Sequence, residues 1–153
     1  MKVRSAGIAL YRISAEGETE MFLGRFGGPY WRNAERAWGI PKGVYDPDVE
    51  SAERAAEREW VEETGFPAPA ELRPLGEFPI GSNKILAVFA AEGDVDPEEL
   101  ESDTFTLEWP PNSGTEQAFP ELERGAWAPL DEAKRMVVKS QLPVVEALAA
   151  ALS

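Results

Sequence analysis

The feature that most constrains this chain is a short, densely charged segment at residues 58–66, which reads Arg-Glu-Trp-Val-Glu-Glu-Thr-Gly-Phe. An α-helix turns by about 100° per residue, so Glu59, Glu62 and Glu63 fall within roughly 100° of one another around a helix axis. Like charges three or four residues apart repel each other. A helix that gathers three carboxylates in this way predicts a bound cation.

The alternative interpretation is a solvated acidic face, which is common for an isolated Glu-rich helix. The preceding turns favour a metal site, because their apolar residues project to the same side of the helix as the carboxylates. These residues are Ala52, Ala55, Ala56 and Trp60. Carboxylates on a buried face must be paired or bound to metal, since burying a bare charge is costly. Oxygen-only ligation suits Mg²⁺, with Mn²⁺ as an alternative.

The segment resembles the Nudix box, whose pattern is Gly, five residues, Glu, seven residues, then Arg-Glu-apolar-any-Glu-Glu-any-Gly-apolar. The matching residues are Gly43, Glu50, Arg58, Glu59, Trp60, Glu62, Glu63, Gly65 and Phe66. One departure is that six residues separate Gly43 from Glu50, in a loop where an insertion has little energetic effect. The chain is thus identified, by resemblance, with the Nudix hydrolase family.

Segments outside the box extend the resemblance over roughly the whole chain. Residues 27–31, 38–43 and 108–114 resemble a bacterial subgroup usually labelled predicted nucleoside triphosphate pyrophosphohydrolase, which is similar to the dinucleoside tetraphosphate hydrolases. The resemblance implies an α/β fold: an α/β/α sandwich with a mixed central sheet and a loop-helix-loop catalytic motif. At 153 residues, the chain is expected to form a single domain, 1–153.

The resemblance also implies roles for the box carboxylates. Glu59 and Glu63 would be the main metal ligands, with the backbone carbonyl of Gly43 as a third. Glu62 would be a further ligand or the base that orients the attacking water. Metal ions held in this way neutralise phosphate charge and lower the pKa of a water molecule.

Three other box residues have structural interpretations. Arg58 is a candidate catalytic residue, and its alternative role is an ion pair that holds the carboxylates in place, with Glu50 as a partner. Gly65 is expected to end the box helix, because glycine is common just beyond a helix C-terminus.

Charged residues beyond the box are candidates for catalysis and phosphate binding. Many Nudix enzymes place a distal acidic residue, which serves as ligand or base, in the region that here holds Glu116, Glu121 and Glu123. Glu121 is preferred, and a surface glutamate is the alternative. Lys42 and Lys84 are candidates for phosphate contacts, with an exposed lysine as the alternative for each.

Three aromatic residues are candidates for stacking a nucleobase: Tyr30, Trp31 and Trp109. Stacking on aromatic side chains tolerates any base. Core packing is the alternative, because it is the commoner fate of large aromatic side chains.

Composition narrows the chemistry that the chain can perform. The sequence contains no Cys and no His, which excludes thiol catalysis, Cys-based metal sites and the commonest general base. Proton transfer would therefore fall to carboxylates, Lys, Tyr or metal-bound water.

Charge and hydropathy predict a small-molecule partner. The formal net charge of −13 disfavours long nucleic acid, whose binding depends on basic surface. It permits a small nucleotide whose phosphates are neutralised by a divalent cation. The sequence shows no signal-peptide pattern and no long apolar run, so we expect no membrane association and a cytoplasmic location. The oligomeric state is left open.

The order of secondary-structure elements follows from apolar periodicity and turn residues. Strands are predicted at 5–13, 20–25, 38–41, 72–80, 84–91, 104–109 and 125–128, and a loop at 26–37. Helices are predicted at 49–64, 130–139 and from 141 or 142 to 152, with a short helix or acidic turn at 94–101.

The function predicted from these features is Mg²⁺-dependent hydrolysis of a phosphoanhydride bond in a nucleoside diphosphate linked to another group. A dinucleoside polyphosphate such as diadenosine tetraphosphate, or a nucleoside triphosphate, heads the list of substrates. The alternatives are an ADP-ribose or nucleoside diphosphate sugar pyrophosphatase, and a non-catalytic nucleotide-binding module of the same fold. A non-catalytic module is expected to have lost box carboxylates, and this chain has them all.

Overall fold

A seven-stranded mixed sheet forms the centre of the computed structural model, which describes residues 2–153. The elements are β1 (Val3–Ile13), β2 (Thr19–Phe26), β3 (Trp38–Gly39), β4 (Lys42–Tyr45), α1 (Ala52–Thr64), β5 (Arg73–Gly81), β6 (Lys84–Glu92), β7 (Thr104–Glu108), β8 (Glu116–Pro120), β9 (Leu122–Pro129), α2 (Leu130–Met136) and α3 (Leu142–Ala151). Short 3₁₀ turns lie at Pro29–Trp31, Pro97–Glu99 and Lys139–Gln141. Strands β7 and β8 pair with each other in a separate two-stranded sheet.

Strand β1 organises the large sheet, because it has partners along both edges. It runs parallel to β6 on one side and antiparallel to β4 and β2 on the other. Strand β2 pairs in turn with β3 and β9, and β6 pairs with β5. The pairing of β1 with β4 places Gly43 opposite Ala6, so the start of the box is fixed by the sheet.

Both faces of the sheet are covered by helices, as the alternation of side chains along β1 shows. Ile8 and Leu10 pack on the α1 side with the buried Trp60. Ala9 faces the opposite side, in a cluster that includes Val145 and Leu148 of α3. The predicted α/β fold with a mixed central sheet between helices is confirmed.

Helix α1 begins three residues later than the sequence predicts. The Ser51 hydroxyl accepts a hydrogen bond from the Arg54 backbone N–H at 3.2 Å, which caps the first turn. Val49, the predicted start, lies in the preceding turn and is 80% exposed. The predicted end is confirmed: Gly65 has a φ of 77° and its N–H donates to the Val61 carbonyl at 2.9 Å.

Other predicted boundaries differ in detail from the structure. The strand predicted at 38–41 ends at Gly39, and β4 and β8 were not predicted. The helix predicted at 130–139 ends at Met136, because Val137 is extended and the Val138 N–H donates to the Trp38 carbonyl at 2.9 Å. Among residues 2–153, no helix is long and apolar enough to cross a membrane.

Candidate active site

The carboxylates of α1 open onto a cavity of about 400 Å³, here named the carboxylate groove. Its lining residues come from β4, α1 and the two ends of the β7–β8 hairpin: Lys42, Gly43, Val44, Glu59, Glu62, Glu63, Asp103, Thr104 and Glu121. All three glutamates predicted as ligands therefore lie on one groove, together with the distal Glu121. An acidic concavity of this kind suits a divalent cation and a phosphorylated ligand together.

Arg58 is the hub of an ion-pair network at the edge of the groove. Its Nη1 donates to the Glu59 Oε2 at 2.7 Å and to the Glu62 Oε2 at 3.2 Å. Its Nε and Nη2 donate to Glu50, and the hydrogen bonds to Glu50 are the main reason that the pKa of Arg58 is raised. This placement favours the structural role of Arg58, since one guanidinium orients two candidate ligands.

Gly43 allows the Glu59 carboxylate to lie directly against the backbone of β4. A Cβ at residue 43 would overlap the carboxylate of Glu59, which is itself a buried side chain. The glycine of the box is therefore required by a close approach of side chain to backbone. The same contact brings the Gly43 backbone to the groove, where it was predicted to supply a carbonyl ligand.

We expect Gly43→Ala to lower kcat by about 100-fold, because the displaced Glu59 carboxylate would no longer be positioned for catalysis. Gly17→Ala is a control for a destabilising glycine substitution outside the groove, since Gly17 has a φ of 83° that alanine adopts only with strain. It should lower the melting temperature and leave kcat unchanged. Steady-state kinetics and a thermal melt of each variant check the prediction. A Gly43→Ala enzyme with wild-type kcat would show that the close approach is not needed.

Three carboxyl groups that line the groove have pKa values shifted toward the protonated form. Desolvation, together with the charges of Glu121 and Glu59, raises the pKa of Glu63 to about 8, although Lys42 opposes the shift. The pKa of Glu121 is also raised, chiefly by desolvation. A cation bound among these carboxylates would stabilise their ionised form and so lower their pKa values.

The pKa of Glu59 is likewise raised by desolvation, while the hydrogen bond from Arg58 opposes the shift. In the described residues, 2–153, acidic side chains do not form a cluster of three or more that is arranged to hold a metal ion. The donor set nevertheless fits Mg²⁺ or Mn²⁺, since hard oxygen ligands and a glycine backbone meet at one groove. Glu59, Glu63, Glu62 and the Gly43 carbonyl are the residues that would hold the ion.

A second cavity, of about 620 Å³, adjoins the groove and is named here the aromatic chamber. It is lined by Phe26, Gly27, Trp31, Lys42, Glu63, Ile80, Lys84, Phe105, Val138, Ser140, Gln141 and Glu121. Lys42, Glu63 and Glu121 line both cavities. One ligand that spans the two would therefore meet carboxylates at one end and aromatic rings at the other.

The structure separates the predicted substrate-contact residues into two groups. Lys42, Lys84 and Trp31 line the aromatic chamber. Tyr30 and Trp109 lie outside its lining and pack edge to face against each other, with ring centroids 5.4 Å apart. Tyr30 is 67% exposed and Trp109 is half-buried, so this aromatic pair is partly open to solvent.

The two acidic residues ranked behind Glu121 lie outside both cavities. Glu116 is an exposed residue at the start of β8. Glu123 is also exposed, and its carboxylate pairs with Arg25 at 3.4 Å. The preference for Glu121 as the distal acidic residue therefore agrees with its position on the groove.

The family model described as NUDIX domain matches residues 1–148 of the chain. The chain belongs to the NUDIX domain family. The predicted membership of the Nudix family is confirmed by this match. Assignment to the bacterial subgroup stays a prediction.

The chain is also similar in sequence to a protein of a bacteriophage. A protein of Enterobacteria phage T4, described as an uncharacterized 17.7 kDa protein in the e-segB intergenic region, is 40% identical over 92 residues. The match covers 58% of this chain and 58% of the relative. The chain therefore spans less than two thirds of the length of that curated relative.

Two solved structures align over the whole length of this chain. The NUDIX domain of Shewanella oneidensis NrtR complexed with ADP ribose has a TM-score of 0.69 and 14% identity, and covers 100% of this chain and 90% of its own. The C. elegans Ap4A hydrolase has a TM-score of 0.65 and 20% identity, and covers 100% of both chains. At these identities the likeness concerns the fold.

Several residues of this Nudix site were not found from the sequence. Asp103 and Thr104 line the groove, and Phe105 and Gln141 line the chamber. Asp103 contributes to the raised pKa of Glu121, and the Glu121 N–H donates to the Asp103 carbonyl at 2.8 Å. The sequence signal for Asp103 was an acidic residue just before a predicted strand. Acidic residues are common at strand ends, so this signal is weak.

Proposed function

We propose that this Nudix protein is a Mg²⁺-dependent pyrophosphohydrolase that cleaves a phosphoanhydride bond in a nucleoside diphosphate linked to another group. The observation that supports it best is the junction of the carboxylate groove with the aromatic chamber through Lys42, Glu63 and Glu121. A polyphosphate placed at this junction would lie against the carboxylates, and its attached nucleoside would enter the chamber. Mn²⁺ is the alternative cation.

Each group of side chains in the site has its own role in the proposed reaction. When bound by the box carboxylates, a divalent cation supplies charge neutralisation and a more acidic water. Arg58 keeps Glu59 and Glu62 oriented, while Lys42 and Lys84 offer positive charge to the phosphates. Glu62 or Glu121 would accept the proton of the attacking water, since a chain without His has no imidazole base.

The first choice of substrate is a dinucleoside polyphosphate of the diadenosine tetraphosphate type, cleaved asymmetrically to ATP and AMP, and a nucleoside triphosphate is the second. The fold shared with an Ap4A hydrolase supports the first choice. The fold shared with a domain bound to ADP ribose supports an ADP-ribose or nucleoside diphosphate sugar pyrophosphatase as the alternative. A non-catalytic nucleotide-binding module is the competing class.

A substrate panel tests the proposal. Diadenosine polyphosphates, nucleoside triphosphates and ADP-ribose are incubated with the purified protein in Mg²⁺, in Mn²⁺ and in chelator, and the products are separated by ion-exchange chromatography. We expect metal-dependent cleavage with the highest kcat/KM for diadenosine tetraphosphate. Binding without cleavage across the panel would favour the non-catalytic module.

The pH dependence of Mg²⁺ binding and of activity should follow the titration of carboxylates, because the chain has no imidazole side chain. Because the pKa of Glu63 is raised to about 8 in the metal-free protein, protons compete with the cation below this pH. We expect the apparent affinity for Mg²⁺ to rise by up to about tenfold per pH unit between pH 6 and pH 8, and then to level off. Activity at limiting Mg²⁺ should follow the same curve. A maximum near pH 5 with a decline above it would contradict this assignment.

We infer a single Nudix domain spanning residues 1–153, acting in the cytoplasm on a small nucleotide. The net charge of −13 argues against long nucleic acid as a partner.

A further inference from the structure

Within residues 2–153, Gln141 Nε2 is the buried side-chain polar atom that has no hydrogen-bond partner. Gln141 is 1% exposed and lines the aromatic chamber. An unpaired buried amide donor destabilises a folded protein, because it has lost its hydrogen bonds to water. Native proteins rarely keep such a group unless a ligand or an ordered water completes it.

The oxygen of the same amide already has a hydrogen-bond partner. Gln141 Oε1 accepts a hydrogen bond from the Ile40 backbone N–H at 2.9 Å, which fixes the oxygen and nitrogen assignment because Ile40 N–H can only donate. The side chain therefore offers its remaining capacity as a donor. A Cβ at Gly39 would lie 2.7 Å from Nε2, so the glycine allows the amide to pack directly against the backbone of β3.

The walls beside Gln141 suit a flat, hydrogen-bonding ligand. Phe26 and Trp31 pack together with ring centroids 5.0 Å apart, and Phe105 belongs to the same chamber. Aromatic side chains stack on any nucleobase, because every base has a flat π-face. Lys42 and Lys84 supply positive charge to the same chamber, so that a phosphorylated nucleoside matches its chemistry.

We propose that Gln141 is a nucleobase-binding residue, whose Nε2 donates to a ring nitrogen or carbonyl oxygen of the substrate's base. This inference rests on the proposed function, since it takes a nucleotide as the ligand. Stacking on the aromatic walls holds the base without selecting it, whereas the Gln141 donor requires an acceptor on the base edge. Gln141 thus contributes affinity for the nucleoside but not for the polyphosphate chain.

The test separates the two ends of the amide. Gln141→Met removes both polar atoms, whereas Gln141→Glu keeps an oxygen for Ile40 and loses the donor. Gln117→Met is the matched control, because Gln117 is an exposed glutamine on β8 that does not line the chamber. Calorimetry in Mg²⁺ compares methylene-bridged analogues of ATP, GTP, CTP and UTP with methylenediphosphonate, which has no base.

We expect both Gln141 variants to bind at least one nucleotide analogue about 3- to 10-fold more weakly than the wild type, with methylenediphosphonate binding unchanged. Equal weakening of both ligand types, or no weakening, would overturn the inference and leave the amide a partner of Ile40 or of a buried water. Wild-type protein that binds every nucleotide no better than methylenediphosphonate would also overturn it. Nucleotide binding that depends on Gln141, without any hydrolysis in the substrate panel, would instead count against the proposed function alone.

Discussion

Glu63→Gln is expected to lower kcat/KM by roughly 1,000-fold, the largest single effect among the substitutions considered, because it removes several kcal/mol of transition-state stabilisation. Glu63 lines both the carboxylate groove and the aromatic chamber, so its charge acts where the scissile phosphates would lie. The amide keeps the size of the side chain but not its charge, and the affinity for Mg²⁺ should fall as well. Steady-state kinetics over a Mg²⁺ titration measure both losses.

Glu53→Gln on the same helix is the matched control, since Glu53 is exposed and lies outside both cavities. It should retain wild-type kinetics. Circular dichroism must show that both variants are folded. Wild-type turnover by Glu63→Gln at limiting Mg²⁺ would remove Glu63 from the set of metal ligands.

The metal-free protein should lose stability as the pH rises, and Glu63 should account for much of the loss. Its pKa is raised from 4.5 to about 8 in the folded protein, so folding favours the protonated form. The stability that this proton contributes is fully present below pH 4.5 and is lost as the pH rises through about 8. At about 1.4 kcal/mol per pKa unit, the loss is bounded at roughly 5 kcal/mol, and the partial exposure of the side chain reduces it.

Glu63→Gln should therefore unfold at a higher temperature than the wild type at pH 8.5 in chelator, and at nearly the same temperature at pH 4.5. Thermal melts across this pH range measure the difference, and Glu53→Gln should follow the wild-type curve. Added Mg²⁺ should narrow the gap at pH 8.5, because a ligand that binds the native state stabilises it. A difference between Glu63→Gln and wild type that does not vary with pH would show that Glu63 is not the titrating group.

The box helix was predictable because its signals are local. Its carboxylate spacing, its buried alanines and the terminal Gly65 all lie within one short stretch of sequence. The structure accordingly places Glu59, Glu62 and Glu63 on one groove. The helix start was placed too early, at Val49, because the cap at Ser51 competes with a weak helical pattern before it.

Trp31, Lys42 and Lys84 were candidates from the sequence, but the aromatic chamber that they line was not predictable, because its walls come from segments that are distant in sequence. Phe26, Phe105 and Gln141 belong to β2, to the hairpin and to the turn before α3. Nothing in the local sequence around Gln141 shows that its Nε2 would be buried without a partner. Strand β8 was missed for a different reason: residues 116–118 lack the apolar alternation that marks a strand.

The β7–β8 hairpin forms its own two-stranded sheet and does not join the large one. Phe105 is its contribution to the wall of the chamber, whereas the register that holds Gly43 against α1 belongs to the large sheet. Residues 105–119 thus supply one wall of the chamber and no lining residue of the carboxylate groove. Exchanging residues 105–119 between Nudix proteins is therefore a modular route to new specificities, because the catalytic helix and its sheet need not be rebuilt.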